Sequence, residues 1–317
     1  MDEFSLIERF FKSIASDRPD VILGVGDDAA ILNVPKDHQL LVSCDTLVAD
    51  VHFCTDWDAY DIAYKAVMVN ISDIAAMAGR PSWITLGLTL PTLDEAWLQR
   101  FSDGLRAALL PYPVALIGGD TTRGPMSMTL TVHGFVPVGR AVRRSGARPG
   151  DIIYVTGELG AAALAVDFLT REGCDAQDWP LLLDKLQHPT PRVDWVDYLQ
   201  THATACIDIS DGLSADLHHI CTASLVGARL TVDQIPVHPL VKKYKQGHAL
   251  DFALSGGDDY ELCFTIPPAR EATLLRELAS AGLQGYAIGT IEATTGLRLK
   301  RPDTECVPLS PRGYAHF

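Results

Sequence analysis

Gly24-Val25-Gly26-Asp27-Asp28-Ala29-Ala30 is the stretch around which this chain organises itself. Two glycines let the backbone turn tightly, and two adjacent carboxylates then project from the turn. Mutual repulsion and desolvation make such a pair costly unless a cation or water receives it. A lone Asp-Asp reads as solvated surface, but here the theme recurs. Acidic residues return at Ser43-Cys44-Asp45-Thr46, Asn70-Ile71-Ser72-Asp73, Gly118-Gly119-Asp120-Thr121-Thr122, Asp208-Ile209-Ser210-Asp211-Gly212 and Gly256-Gly257-Asp258-Asp259. Carboxylates at the ends of apolar runs, set among glycines and hydroxyls, suit hard cations that take oxygen ligands and bridge to phosphate. The pattern predicts a Mg²⁺-rich phosphoryl site assembled from distant segments.

Composition narrows the class. A chain of 317 residues holds a sizeable core and suits two domains better than one. Its 47% apolar and 21% charged residues are ordinary for a globular enzyme. The net charge of −14 argues against nucleic acid or an anionic membrane as partner. An anionic substrate therefore needs metal ions or a local basic patch. No apolar run approaches the ~20 residues of a membrane span. Met1-Asp2-Glu3-Phe4 lacks the basic and apolar regions of a secretory signal. The seven cysteines are scattered without a Cys-x-x-Cys, and the ten histidines show no metal-ligand spacing. A cytoplasmic location is expected.

Along the chain, Phe4 to Phe11 has helical apolar spacing and reads as an amphipathic lid on the core. Val21-Ile22-Leu23 leads into the glycine turn. Gln39 to Cys44 reads as a buried strand that delivers Asp45 and Thr46 at its end. Ala59 to Met77 fits a helix in which Asn70 and Asp73 share a face. A helical Asp there, with no basic neighbour one turn away, wants a cation. Trp83 to Leu90 reads as a strand, Asp94 to Leu110 as a helix, and Val114 to Ile117 as a strand ending at Gly118-Gly119-Asp120. Ser127 to Val136 alternates as a strand should.

Character changes between Pro137 and Gly150, where Arg140, Arg143, Arg144 and Arg148 cluster. The domain boundary is placed here, giving 1–138 and 139–317. The bland reading is a solvated linker; beside a metal site one arginine can meet phosphate. Asp151 to Thr156 is a strand before Gly157-Glu158-Leu159-Gly160, whose turn is a weak candidate for holding phosphate on a helix N-terminus. Ser210 or Asp211 reads as a cap for the helix that follows. Asp208, between Ile207 and Ile209, has no such duty and is weighted towards function. A helix over Arg270–Ala281 and a strand near Ala287–Ile291 read as scaffold, and the aromatic tail from Gly313 to Phe317 as an end tucked onto the core. Strand and helix signals mix in both halves, so the class is α/β or mixed α+β.

Phosphoryl transfer needs positioning and neutralisation of phosphate charge. Gly-x-x-x-x-Gly-Lys-Ser/Thr, His-Arg-Asp with Asp-Phe-Gly, and Gly-x-Ser-x-Gly are all absent from the sequence. ATP would then be bound mainly through aspartates and their metals.

The acidic motifs above, with Phe4-Ser5-Leu6-Ile7, Thr46-Leu47-Val48, His52-Phe53, Ile74-Ala75-Ala76-Met77 and Asp258-Asp259-Tyr260-Glu261-Leu262, resemble the thiamine-monophosphate kinase family. The resemblance runs in order from Glu3 to Phe317. It implies the aminoimidazole-ribonucleotide synthetase-like fold: two α/β domains, with the N-terminal sheet forming a barrel across a homodimer. The N-terminal domain would bind metal and ATP and dimerise. The implied activity is ATP-dependent phosphorylation of thiamine monophosphate to thiamine diphosphate, the final step of its biosynthesis, with several Mg²⁺ ions and K⁺ as the candidate monovalent cation.

Carried over position by position, the resemblance has Asp28, Asp45, Asp73, Asp120, Asp208 and Asp211 holding Mg²⁺. Ser43 and the Cys44 or Thr46 backbone join them, with Asp27 in support. Gly119, Asp120, Arg144 and Ser210 face ATP. His52, Asp258 and Tyr314 face thiamine monophosphate, with Asp258 standing where the family has Glu. A cationic thiamine ring can stack on Tyr314 and pair with Asp258. The acceptor is an ionised phosphate, so no general base is needed and direct in-line transfer follows.

Rival readings are weaker. A selenophosphate synthetase should carry a reactive cysteine in an N-terminal glycine-rich loop, and no cysteine precedes Cys44. A hydrogenase-maturation protein should end in cysteine, whereas this chain ends His316-Phe317. A purine-precursor synthetase, a cation- or nucleotide-sensing protein and a metal-dependent phosphatase complete the alternatives.

Overall fold

The computed structural model describes residues 3–14, 18–301 and 305–316. The expectations for Met1-Asp2 and Phe317, and for the Phe4 side chain, fall outside what is described. The chain forms two compact units. One holds residues up to Ala75 together with Gly79–Ala141; the other holds Ala76–Ala78 and the chain from Val142 onward.

The first unit is built on a four-stranded sheet in the order His38–Val48, Ser127–Pro137, Arg80–Leu90, Ala115–Arg123. The first three strands run antiparallel; the last pairs parallel with Arg80–Leu90, so a crossover must join them. Helix Glu95–Leu109 is that crossover. Asp94 starts it by accepting the Ala96 and Trp97 N–H groups at 2.8 and 3.2 Å, two of the donors that every helix start leaves unpaired. Alternation sets the faces: Met128, Leu130 and Val132 are buried, while Thr129, Thr131 and His133 are half-buried.

Three expectations are corrected. Strand His38–Val48 does not stop at Asp45 but carries it and Thr46 within its length. Nor is it a buried strand: it lies at a sheet edge, with Leu40 and Val42 exposed. Likewise the strand beginning at Ala115 runs through Gly118-Gly119-Asp120 to Arg123. At the N-terminus, Leu6, Phe10 and Phe11 are buried, as a lid requires. Val21–Leu23 pairs antiparallel with Ile31–Leu32, and Gly24–Ala30 is their connection. Val21, Ala30 and Leu32 pack on the Trp83, Ala115, Ile117 and Phe135 cluster, which fixes the turn while leaving Asp27 and Asp28 exposed.

The second unit carries a seven-stranded sheet in the order Val307–Leu309, Gly296–Lys300, Gly227–Thr231, Tyr286–Glu292, Ile152–Val155, Leu262–Ile266, Ala205–Asp208. Its core includes Tyr154, Trp195, Cys206, Phe264, Leu274 and Leu278. The arginine segment is not a loose linker. Val142 and Ala147 are buried, Cys206 N–H donates to the Arg143 carbonyl at 3.0 Å, and Ser224 Oγ to that of Arg144 at 3.1 Å. The tail also departs from expectation. Its backbone is tied to the unit, but Tyr314 is half exposed rather than packed into the core. Among the described residues no helix is long and apolar enough to cross a membrane.

Candidate active site

In the first unit, Ser43, Asp45 and Leu47 take one face of their strand by the two-residue alternation. Ser43 Oγ donates to Asp73 Oδ2 at 2.6 Å, so the half-buried Asp73 of helix Ala59–Ala76 is held against that face. Burial pushes the Asp45 carboxyl above its usual range, the state of a carboxylate dried without compensation. One turn before Asp73, fully buried Asn70 donates its amide to the Ala66 carbonyl at 2.9 Å, while its Oδ1 is buried without a partner. Cys44 and Thr46 turn the other way. Thr131 Oγ1 meets Cys44 Sγ at 3.4 Å and Thr46 Oγ1 meets Thr129 Oγ1 at 2.8 Å, so beside Ser43 and Asp45 only their backbone is on offer.

The glycine turn and the neighbouring sheet edge share a cavity of about 490 Å³ whose lining includes Asp27, Asp28, Gly119 and Asp120. The two adjacent aspartates differ: Asp27 Oδ1 accepts the Asp28 N–H at 2.8 Å and so spends itself on its own turn. Gly119 has φ +156, and a Cβ there would lie 1.9 Å from the Leu86 carbonyl oxygen, so only glycine lets the strand pass and carry Asp120 to the cavity. His52 sits in the turn after Val48, whose N–H donates to His52 Nδ1 at 3.0 Å. An accepting Nδ1 leaves the proton on Nε2 in a neutral ring.

In the second unit, buried Asp208 ends strand Ala205–Asp208 and a heavily bonded turn follows. Ile209 exchanges bonds with Glu261 and Tyr260, the Ser210 carbonyl accepts Asp258 N–H at 2.8 Å, and the Asp211 carbonyl accepts Tyr314 N–H at 3.1 Å. Neither Ser210 nor Asp211 caps helix Leu213–Ser224. Asp216, from inside the helix, reaches back with Oδ2 to the N–H groups of Asp211 and Gly212 at 3.1 and 3.0 Å. Burial first, and then the charge of Asp211, push its carboxyl up to about 7; the N–H bonds and Arg144 oppose them. Arg144 is exposed, with its charge felt at Asp216 and His219.

The Gly157–Gly160 turn does not hold a phosphate on its Gly160 N–H, because both oxygens of half-buried Asp259 take that donor at 3.0 and 2.8 Å. Glu261 is buried, accepting Thr156 Oγ1 at 2.6 Å and a fork from Arg192 whose Nε bond is 2.6 Å. Asp216, Asp259, Glu261 and Arg192 are the residues that the sequence reading missed. The alternation in Asp258–Glu261 marks two of them; nothing local marks Arg192. Among the described residues no three His, Cys, Asp or Glu side chains converge as a ready-made metal cage.

Comparison with known proteins agrees with this architecture. Residues 26–136 match the AIR synthase related protein, N-terminal domain, and residues 148–301 the corresponding C-terminal domain. The chain is 50% identical to the thiamine-monophosphate kinase of Escherichia coli (strain K12), covering 99% of this chain and 98% of that protein. The crystal structure of thiamine-monophosphate kinase from Stenotrophomonas maltophilia K279a superposes with a TM-score of 0.87 at 41% identity, covering 95% of this chain and 97% of that one. AaThiL complexed with AMPPCP and TMP superposes at 0.78 with 30% identity, covering 99% and 97%. With both domains matched and near-complete coverage by its relatives, the chain belongs to the thiamine-monophosphate kinase family.

Proposed function

We propose that this chain transfers the γ-phosphoryl group of ATP directly to the phosphate of thiamine monophosphate, giving thiamine diphosphate and ADP. The observation that carries the reading is the oxygen-rich face formed by Ser43, the desolvated Asp45 and Asp73 on a strand and a packed helix. The similarity to AaThiL complexed with AMPPCP and TMP supports the same pair of substrate classes here.

The donor set fits Mg²⁺. It offers oxygen only and lacks a protein cage among the described residues, and the orphaned Asn70 Oδ1 lies one turn before Asp73 on the same helix. Mg²⁺ ordinarily takes one or two carboxylates and completes its shell with water and phosphate oxygens. In the first unit Asp28, Ser43, the Cys44 or Thr46 backbone, Asp45, Asp73 and Asp120 would hold such ions, with Asp27 in support; in the second, Asp208 and Asp211 would. When bound, they supply the neutralisation that phosphoryl transfer requires. K⁺ would serve as the monovalent cation.

Gly119, Asp120, Arg144 and Ser210 face ATP in this reading, the Arg144 guanidinium meeting phosphate charge by charge-assisted hydrogen bonds. His52 faces thiamine monophosphate. Asp258 meets the positive charge and aminopyrimidine of that substrate, and the half-exposed Tyr314 ring stacks on it. The acceptor oxygen is already ionised, so no side chain need remove a proton. The working form is a cytoplasmic homodimer in which residues 1–138 bind metal and ATP and close a sheet barrel, while 139–317 form the second α/β domain.

ATP made chiral at its γ-phosphorus tests the transfer. Inverted configuration in the terminal phosphate of thiamine diphosphate supports direct in-line transfer; retention points to a phospho-enzyme and overturns it.

A further inference from the structure

In Asp258-Asp259-Tyr260-Glu261, alternate residues do different work. Asp259 and Glu261 are tied down on Gly160, Thr156 and Arg192, as described above. Asp258 and Tyr260 have φ +66 and +50, a left-handed backbone that non-glycine residues seldom adopt and that costs free energy. The surrounding turn enforces it, since Asp258 N–H donates to the Ser210 carbonyl at 2.8 Å and Tyr260 N–H to that of Ile209 at 2.9 Å. The outcome is a side-chain contact: Tyr260 Oη donates to Asp258 Oδ1 at 3.1 Å.

The geometry points to Tyr260 as a positioning residue for thiamine monophosphate, its hydroxyl holding the Asp258 carboxylate in the orientation that receives the cationic half of that substrate. This rests on the function proposed above. The chemistry of the donor favours it, since a phenol hydroxyl fixes one carboxylate oxygen by a directional bond. Ordering before binding removes a cost that the complex would otherwise bear. The two strained backbone conformations are consistent with a site where position matters more than local stability.

The test is a double-mutant cycle with Tyr260→Phe and Asp258→Asn in the full chain, reading KM for thiamine monophosphate, KM for ATP and kcat. Tyr260→Phe keeps the ring and the backbone and removes only the hydroxyl. It is expected to raise KM for thiamine monophosphate about 10- to 150-fold, the range for a lost hydrogen bond to a charged group. KM for ATP should stay within about two-fold, and in the Asp258→Asn background the Phe substitution should add less than about two-fold. If Asp258→Asn turns over too slowly, calorimetric titration of thiamine monophosphate into the same four proteins completes the cycle. An unchanged KM in Tyr260→Phe, a parallel rise in KM for ATP, or full additivity with Asp258→Asn each overturns the role. Absence of thiamine monophosphate-dependent turnover in the unsubstituted protein would instead refute the functional reading itself, a distinct result.

Discussion

Ser210 and Asp258 are joined through the backbone, the Asp258 N–H donating to the Ser210 carbonyl at 2.8 Å. One main-chain bond thus links a residue proposed for the nucleotide to one proposed for thiamine monophosphate. Gly257 makes the approach possible, for a Cβ there would stand 2.5 Å from the Ser210 carbonyl oxygen. Gly257→Ala should therefore weaken binding of both substrates and destabilise the fold by about 1–3 kcal/mol, the usual range for such a clash. Calorimetric titration of each substrate and urea denaturation read the two effects. Weakening of only one substrate would show that the link does not couple them.

Ser43 and Asp73 separate orientation from chemistry. Ser43→Ala leaves the carboxylate in place but removes its hydrogen bond, with about a 10-fold loss of kcat/KM expected. Asp73→Asn removes the negative charge itself and should cost at least about 100-fold. Steady-state kinetics with thermal melts distinguishes these from unfolding; equal losses in both variants would contradict the division.

Buried Glu261 and partly exposed Arg192 form an ion pair whose job is structural. Glu261→Gln keeps the shape but removes the charge that the Arg192 fork meets, and should destabilise the protein by about 1.5–3 kcal/mol. Chemical denaturation measures this. At temperatures where the variant remains folded, KM for ATP should be unchanged, and a large rise would place the pair in substrate binding.

His238 supplies a pH signature away from the candidate site. Its Nδ1 accepts the Leu240 N–H at 3.3 Å at the start of helix Pro239–Lys245, and burial holds its pKa below 6.5. Its contribution to stability is therefore fully present above pH 6.5 and lost as pH falls through the depressed folded value. His238→Asn keeps a capping side chain without a titrating group. The melting temperature of the unsubstituted protein should fall more steeply between pH 7 and pH 5 than that of the variant, and parallel curves would remove His238 from the account.

Several features could be read directly from the residues, each because a local rule acted alone. Alternation exposed the Ser127–Pro137 strand, and Asp94 announced its helix. The failures share a cause, which is that the deciding partner lies far away in sequence. Leu40 and Val42 look like core until their strand proves to be a sheet edge. The glycines around Leu159 look ready for phosphate until Asp259, about a hundred residues on, fills the Gly160 donor. The cap expected from Ser210 or Asp211 is not made: Gly212 stands at the N-cap without a side chain, and Asp216 from inside the helix takes the N–H groups of Asp211 and Gly212 ahead of it. The acidic motifs were legible as a set, since their company of glycines and hydroxyls survives any detail of folding.

The most direct measurement is coupled ADP release with Mg²⁺ and ATP, with thiamine monophosphate added or omitted, and thiamine diphosphate followed by chromatography. The expected result is ADP formed only with thiamine monophosphate and matched mole for mole by thiamine diphosphate. ADP formed without that product, or no turnover at all, would contradict the kinase.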